Sequence, residues 1–197
     1  MSLQKKIILI SSGDPSSIAP EITIKALQSK KIHEKILPII VTDPKLIYNY
    51  SDIIDDHLKV NEIQDQINFT DYKNNYFNVI PVQTNEIVRV GEPSIANCSF
   101  IKQSIIKCIQ LENKTAASAI VTNPINKNIM YKSGFKYSGH TEFLASFSKE
   151  NIQPVMMLVG QNLKTIPLTI HVPLSQVSSL ITEELIITTI KITAKYL

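Results

Sequence analysis

The chain has little material for covalent or metal cross-links. Cys98 and Cys108 are the only cysteines among its 197 residues. They lie ten positions apart in a helical pattern, which reads as two reduced packing residues rather than a disulfide or a metal ligand set. No run approaches the ~18 apolar residues of a membrane-spanning helix. The apolar stretch from Ile7 to Ile10 is too short for the core of a signal peptide. With 20 basic and 17 acidic residues the formal net charge is only +3. Lys and Arg are scattered, with no basic stripe and no aromatic platform beside one, which argues against nucleic acid as a partner. There is no internal repeat and no low-complexity segment. What remains is a chain with 44% hydrophobic residues, long enough for one sizeable domain or a domain and a fragment. It reads as a soluble, cytoplasmic globular protein with no membrane partner.

Short apolar runs alternate with amphipathic ones. Lys6 to Ser11, Ile36 to Thr42, Asn78 to Val82, Ala119 to Thr122, Val155 to Val159 and Lys164 to Ile170 read as strands. A helix is expected from about Pro20, where proline suits the first turn and Glu21 suits the helix dipole. Another is expected from about Ser94 to Leu111, with Ile95, Cys98, Ile101, Ile105 and Ile109 on one buried face. Thr182 can cap a third, with Glu183 and Glu184 in its first turn and Leu185, Ile186, Ile190 and Ala194 continuing the pattern. If that helix packs on strands beyond this sequence, Ile186 and Ile190 stay wet. Asp52 to Tyr76 is polar and weakly periodic, with one or two short elements. The strand–helix–strand order predicts an α/β fold with a parallel or mixed sheet flanked by helices.

Ligands of open α/β sheets bind at the carboxyl ends of the strands, so the loops after the strands hold the candidates. Ser11 to Glu21 joins the first strand to a helix, a junction that aims backbone N–H groups at anions. It lacks the lysine and glycine spacing of a P-loop and has one glycine where a dinucleotide fingerprint wants three. Locally it is equally a polar loop before a helix. After the short fourth strand comes Thr122-Asn123-Pro124-Ile125-Asn126-Lys127. There Lys127 is either a point charge for a phosphate or an exposed lysine at a helix start. His140 follows Gly139, whose missing side chain lets a ligand approach, and Thr141 and Glu142 open the next helix. His171 ends an apolar strand just before Pro173, where a neutral imidazole can bind a divalent metal. A catalytic zinc takes about three protein ligands, so one histidine is not a site. His33 and His57 sit in charged runs and read as solvated.

Together these segments resemble the 4-hydroxythreonine-4-phosphate dehydrogenase family of pyridoxal phosphate biosynthesis, the PdxA family. The resemblance rests on the Gly13-Asp14-Pro15 loop, Thr122 to Lys127, Gly139 to Leu144, Pro154 to Gly160 and Thr169 to Leu174, in the family's order and approximate spacing. It implies a two-domain α/β fold like that of isocitrate and isopropylmalate dehydrogenases, used as a homodimer. It implies oxidation of the C3 hydroxyl of 4-phosphooxy-L-threonine by NAD or NADP. Decarboxylation then gives 3-amino-2-oxopropyl phosphate, with a divalent metal (Zn, Mg or Co) polarising the oxygen at C3. By resemblance, His140 and Thr141 contact substrate and His171 is the first of three metal histidines. Asp14, Asn126 and Lys127 are candidates for phosphate or loop contacts. The opening loop departs from the family's Gly-Asp-Pro-any-Gly-Ile-Gly-Pro-Glu, with Ser17 and Ala19 in place of glycines, and these side chains are expected to crowd the loop unless φ is negative. Family chains are much longer, so residues 1–197 read as the amino-terminal portion, truncated at the carboxyl end. Alone it is expected to be inactive, and active with a complementing C-terminal chain. The alternative is a non-catalytic remnant or a phosphate-ligand-binding module.

Overall fold

A computed structural model describes residues 5–54, 58–64, 71–115, 117–148 and 153–197. His57 lies outside them. A first compact unit runs to His140 and a second covers Thr141–Leu197.

The first unit is a five-stranded sheet in the order β3-β4-β2-β1-β5. Its strands are β1 (Lys6–Ser11), β2 (Ile36–Thr42), β3 (Val60–Glu62), β4 (Phe77–Pro81) and β5 (Ala117–Val121). Every pairing in it is parallel. Parallel sheets are covered on both faces, so their strands are apolar on both sides, as in the Ile7-Ile8-Leu9-Ile10 run of β1. Helix α4 (Asn97–Lys114) covers one face. Its Cys108 and Leu111 pack with Ile7, Leu9, Ile39, Val41 and Ile80. Helices α1 (Ala19–Leu27) and α3 (Pro44–Ile54) cover the other. Ile24, Leu27, Ile47 and Tyr50 pack there with Ile10, Ile40 and Val79. The short α2 (Lys30–Lys35) leads into β2.

Two local expectations change. Ile95 precedes α4 and is 51% exposed, because the helix begins only at Asn97, whereas Cys98, Ile101, Ile105 and Cys108 are buried. His33 is not solvated. Its Nε2 lies 2.6 Å from the Leu27 carbonyl and its Nδ1 3.0 Å from the Tyr72 hydroxyl. A carbonyl can only accept, so Nε2 carries the proton and, in the neutral ring, the Tyr72 hydroxyl donates to Nδ1.

Helix α5 (Lys127–Lys132) is the last helix of the first unit, and α6 (His140–Ala145) opens at the boundary itself. The second unit contains the hairpin of β6 (Leu158–Val159) and β7 (Lys164–Thr165), then α7 (Leu174–Leu180) and α8 (Glu183–Tyr196). The strands expected over Val155–Val159 and Lys164–Ile170 shrink to two residues each. Pro167 has no N–H for a ladder, and the Gly160 amide donates to the Leu163 carbonyl at 2.7 Å, closing the turn. His171 therefore does not end a strand. Helix α8 is capped as expected, the Thr182 hydroxyl accepting from the Leu185 amide at 3.1 Å. Its Ile190 is 59% exposed. No helix among the described residues is long and apolar enough to cross a membrane.

Candidate functional site

Ser11, Thr42 and Val121 end β1, β2 and β5, so the loops after these parallel strands leave the same edge of the sheet. They are fastened to one another by buried hydrogen bonds. The Asp14 amide donates to the Pro124 carbonyl at 2.9 Å. The Asn123 side-chain amide donates to the Ser11 carbonyl (2.9 Å) and the Thr23 hydroxyl (2.6 Å). Ser104 of α4 accepts from the Ser12 amide (2.8 Å) and donates to the Val41 carbonyl (2.6 Å). Gly13 has φ +71°, and a Cβ there would meet the Pro124 oxygen at 2.6 Å. Only glycine satisfies both conditions.

Asp14 is 2% exposed. Its Oδ1 accepts from the Ser16 amide (3.0 Å) and hydroxyl (2.7 Å). The carboxylate thus shapes the loop from within, and its charge opposes an anion. Ser17 and Ala19 are accommodated. Neither has positive φ, and the Ser17 hydroxyl donates to the Asp14 carbonyl at 2.8 Å and accepts from the Ala19 amide at 3.1 Å. Asn126 caps α5, its Oδ1 accepting from the Ile129 amide at 3.2 Å. That leaves Lys127, the first residue of α5, exposed at the helix start.

His140 is the residue that this arrangement leaves chemically open. Its Nε2 is buried and has no hydrogen-bond partner. Burial, and secondly the positive charge of Lys127, hold its imidazole below the usual 6.5. Such a ring is neutral at pH 7 and retains one donor and one acceptor nitrogen. Buried polar atoms are almost always paired, so an orphan nitrogen here points to a ligand that completes it. Thr141 follows on the same helix, half-buried. His171, in the second unit, is exposed and sits in the left-handed region at φ +57°. An L-residue is rarely held there without a reason, and such strain collects at functional positions. Among the described residues no three His, Cys, Asp or Glu side chains form a metal-binding group. The residues present therefore do not fit a complete metal site.

One buried group carried no signal in the sequence. Asn97, at the start of α4, is buried with its Oδ1 unpaired. A helix expected from about Ser94 places Asn97 within its first turns, and only the structure shows its Oδ1 buried without a partner.

The family model "Pyridoxal phosphate biosynthetic protein PdxA" matches residues 34–197. A 4-hydroxythreonine-4-phosphate dehydrogenase of Methylorubrum extorquens is 32% identical across 98% of this chain and 56% of its own length. The enzyme of the same name from Maricaulis maris is 31% identical across 94% of this chain and 57% of its own. Among solved structures, a 4-hydroxythreonine-4-phosphate dehydrogenase from Burkholderia phymatum superposes with a TM-score of 0.85 at 24% identity, covering 96% of this chain and 57% of that one. The Klebsiella pneumoniae enzyme gives 0.82 at 23%, covering 99% and 59%. The chain thus spans little more than half the length of these relatives, and the likeness of fold is that of the isocitrate dehydrogenase type. On sequence, and in keeping with its fold, the chain belongs to the PdxA family of pyridoxal phosphate biosynthesis, a family of oxidoreductases.

Proposed function

We propose that residues 1–197 are the amino-terminal portion of a dehydrogenase that oxidises and decarboxylates 4-phosphooxy-L-threonine, and that they carry its substrate-contacting groups without a complete metal site. The orphan Nε2 of His140 is the observation that carries this reading. A neutral imidazole can accept the proton of a substrate hydroxyl or donate to a substrate oxygen, whereas an imidazolium can only donate. Lys127 helps keep the ring neutral and offers an ammonium to a phosphate. Thr141 adds a hydroxyl to the substrate contacts. Asn126 fixes the start of α5 and so the origin of the Lys127 side chain, and Asp14 holds the neighbouring loop.

NAD or NADP would take the hydride, and we assign no residue of this chain to it. His171 offers one imidazole to a divalent metal such as Zn, Mg or Co. The other donors would come from outside this sequence, either from a complementing polypeptide or from the second subunit of a homodimer. No step is derived through the metal. The second reading, a phosphate-ligand-binding module without turnover, is favoured by the lack, among the described residues, of any three His, Cys, Asp or Glu side chains grouped to hold a metal.

Binding and turnover, measured on the same preparation, separate the readings. The purified chain is mixed with 4-phosphooxy-L-threonine, NAD or NADP, and Zn or Mg. The expected result is binding, weakened at least about tenfold by His140→Ala and by Lys127→Ala, a loss of about 1.4 kcal/mol or more. No turnover is expected from the chain by itself. Absence of binding would refute the substrate assignment. Turnover by the chain unaided, lost in His171→Ala, would refute the division of the metal site.

A further inference from the structure

Every pairing in the sheet of the first unit is parallel, so the residues that enter its strands gather at one end of it. The loops that follow Ser11, Thr42 and Val121 leave the opposite end. Lys5 enters β1, α2 enters β2, Lys59 enters β3 and Tyr76 enters β4. These four strands are neighbours, in the order β3-β4-β2-β1. Lysines that form no basic run in the sequence are thereby brought to one place.

A cavity of about 430 Å³ lies among them, lined by Lys5, Lys30 and Lys59, with Glu34 its one carboxylate. Leu27 and Phe77, both buried, give it apolar walls. Tyr76 also lines it. Two ammoniums share the Tyr76 ring, with Lys59 Nζ 6.0 Å and Lys73 Nζ 5.6 Å from its centroid. An aromatic face attracts a cation without neutralising it. Lys5 Nζ donates to the His33 carbonyl at 2.6 Å, which places that ammonium and leaves its charge. Among the described residues none of these four lysines is ion-paired.

Unpaired cations around a cleft with apolar walls repel one another and concentrate their field on an anion that enters. The volume is that of a site for a small molecule, about 300–1,000 Å³. A cavity, as opposed to a strip along the surface, favours such a ligand over nucleic acid. Lysines from three separate elements suit an anion with more than one phosphate. We infer that this cavity binds a small molecule carrying a pyrophosphate group, with Lys5, Lys30 and Lys59 as its counter-charges and Tyr76 holding the Lys59 ammonium. The site lies across the sheet from the loop that leads to Lys127, so it stands or falls apart from the proposed substrate contacts.

Calorimetric titration of the chain with inorganic pyrophosphate and with ADP tests this. Salt at about 0.15 M shortens the reach of scattered surface charges to roughly 8 Å. Saturable 1:1 binding is expected, weakened at least tenfold by Lys30→Gln and by Lys59→Gln and restored by Lys59→Arg. Lys127→Ala and Lys45→Gln, at the other end of the sheet, should leave it unchanged. Lys30 and Lys59 are exposed, so their variants should melt with the parent chain. Tighter binding of ADP would identify a nucleotide as the source of the pyrophosphate group, and equal binding an inorganic polyphosphate. No binding of either at millimolar concentration would overturn the inference. So would equal losses in Lys45→Gln and Lys59→Gln, or a loss in Lys127→Ala with none in Lys59→Gln. Displacement of both ligands by a short single-stranded RNA that binds more tightly would also overturn it, showing the lysines to be a nucleic-acid surface.

Discussion

His140 ties the chemistry of the site to the acidity of the medium. Folding lowers its pKa from 6.5, so just below that pH the unfolded chain holds more protons than the native one. Stability then falls as the pH drops from about 6.5 through the depressed native value. His140→Gln, which cannot ionise, should flatten that part of a melting-temperature profile. A parent profile already flat between pH 7 and 5 would contradict the burial of a neutral ring. At His171 the backbone makes the prediction. Its φ of +57° suits glycine and strongly disfavours a β-branched residue, and a left-handed L-residue costs about 1–2 kcal/mol. Histidine already bears such a cost, so in a urea titration His171→Gly should lose none, whereas His171→Val should lose stability through its β-branch. Equal losses in both variants would mean that the ring, and not the backbone, sets stability there. Gly13 behaves in the opposite way, because it is crowded as well as left-handed. Gly13→Ala should cost about 1–3 kcal/mol by overpacking alone, read from the same titration.

At the scale of elements, the strongly patterned segments were legible. The β1 and β2 runs have the bounds that their apolar residues suggest, and Thr182 caps α8 through its hydroxyl. Thr182→Ala should therefore lower the stability of the second unit by about 1 kcal/mol, seen as faster amide exchange in the first turn of α8. Helix α4 shows where pattern reading slips. Its period continues backward to Ile95, but the helix does not, since Asn97 begins it and Ile95 faces solvent. Cys98, Ile101 and Ile105 are buried as read, but Ile109 is only half-buried and Cys108 lies on the buried face instead; burial pushes the Cys108 thiol up to about 12. Native protein at pH 8 should leave Cys108 unmodified by maleimide until denaturant is added. Rapid labelling of Cys108 would show that α4 does not pack on the sheet. In the second unit the hydrophobic runs misled, because Pro167 interrupts a stretch that reads as a strand through Ile170. Likewise, the charges around His33 hid its bonds to Leu27 and Tyr72, partners six and 39 residues away.

At the scale of the whole molecule, a parallel α/β architecture followed from the order of the runs, whereas the place of β5 at the sheet edge did not. Strand order in space depends on which strands pair, and no local pattern distinguishes β5 as an edge from β5 as an interior strand. The site divides in the same way. Candidate residue types and their chain positions can be read from the sequence. Which groups are already engaged cannot be, so Asp14 and Asn126 looked as free as His140 until their hydrogen bonds were seen. The central claim is that His140 and Lys127 await a phosphorylated ligand. Its most direct measurement is an NMR titration of the His140 ring nitrogens with 4-phosphooxy-L-threonine. A saturable shift of Nε2, weakened in Lys127→Ala, is the predicted result. An Nε2 resonance that stays fixed at every concentration at which the ligand dissolves would contradict it.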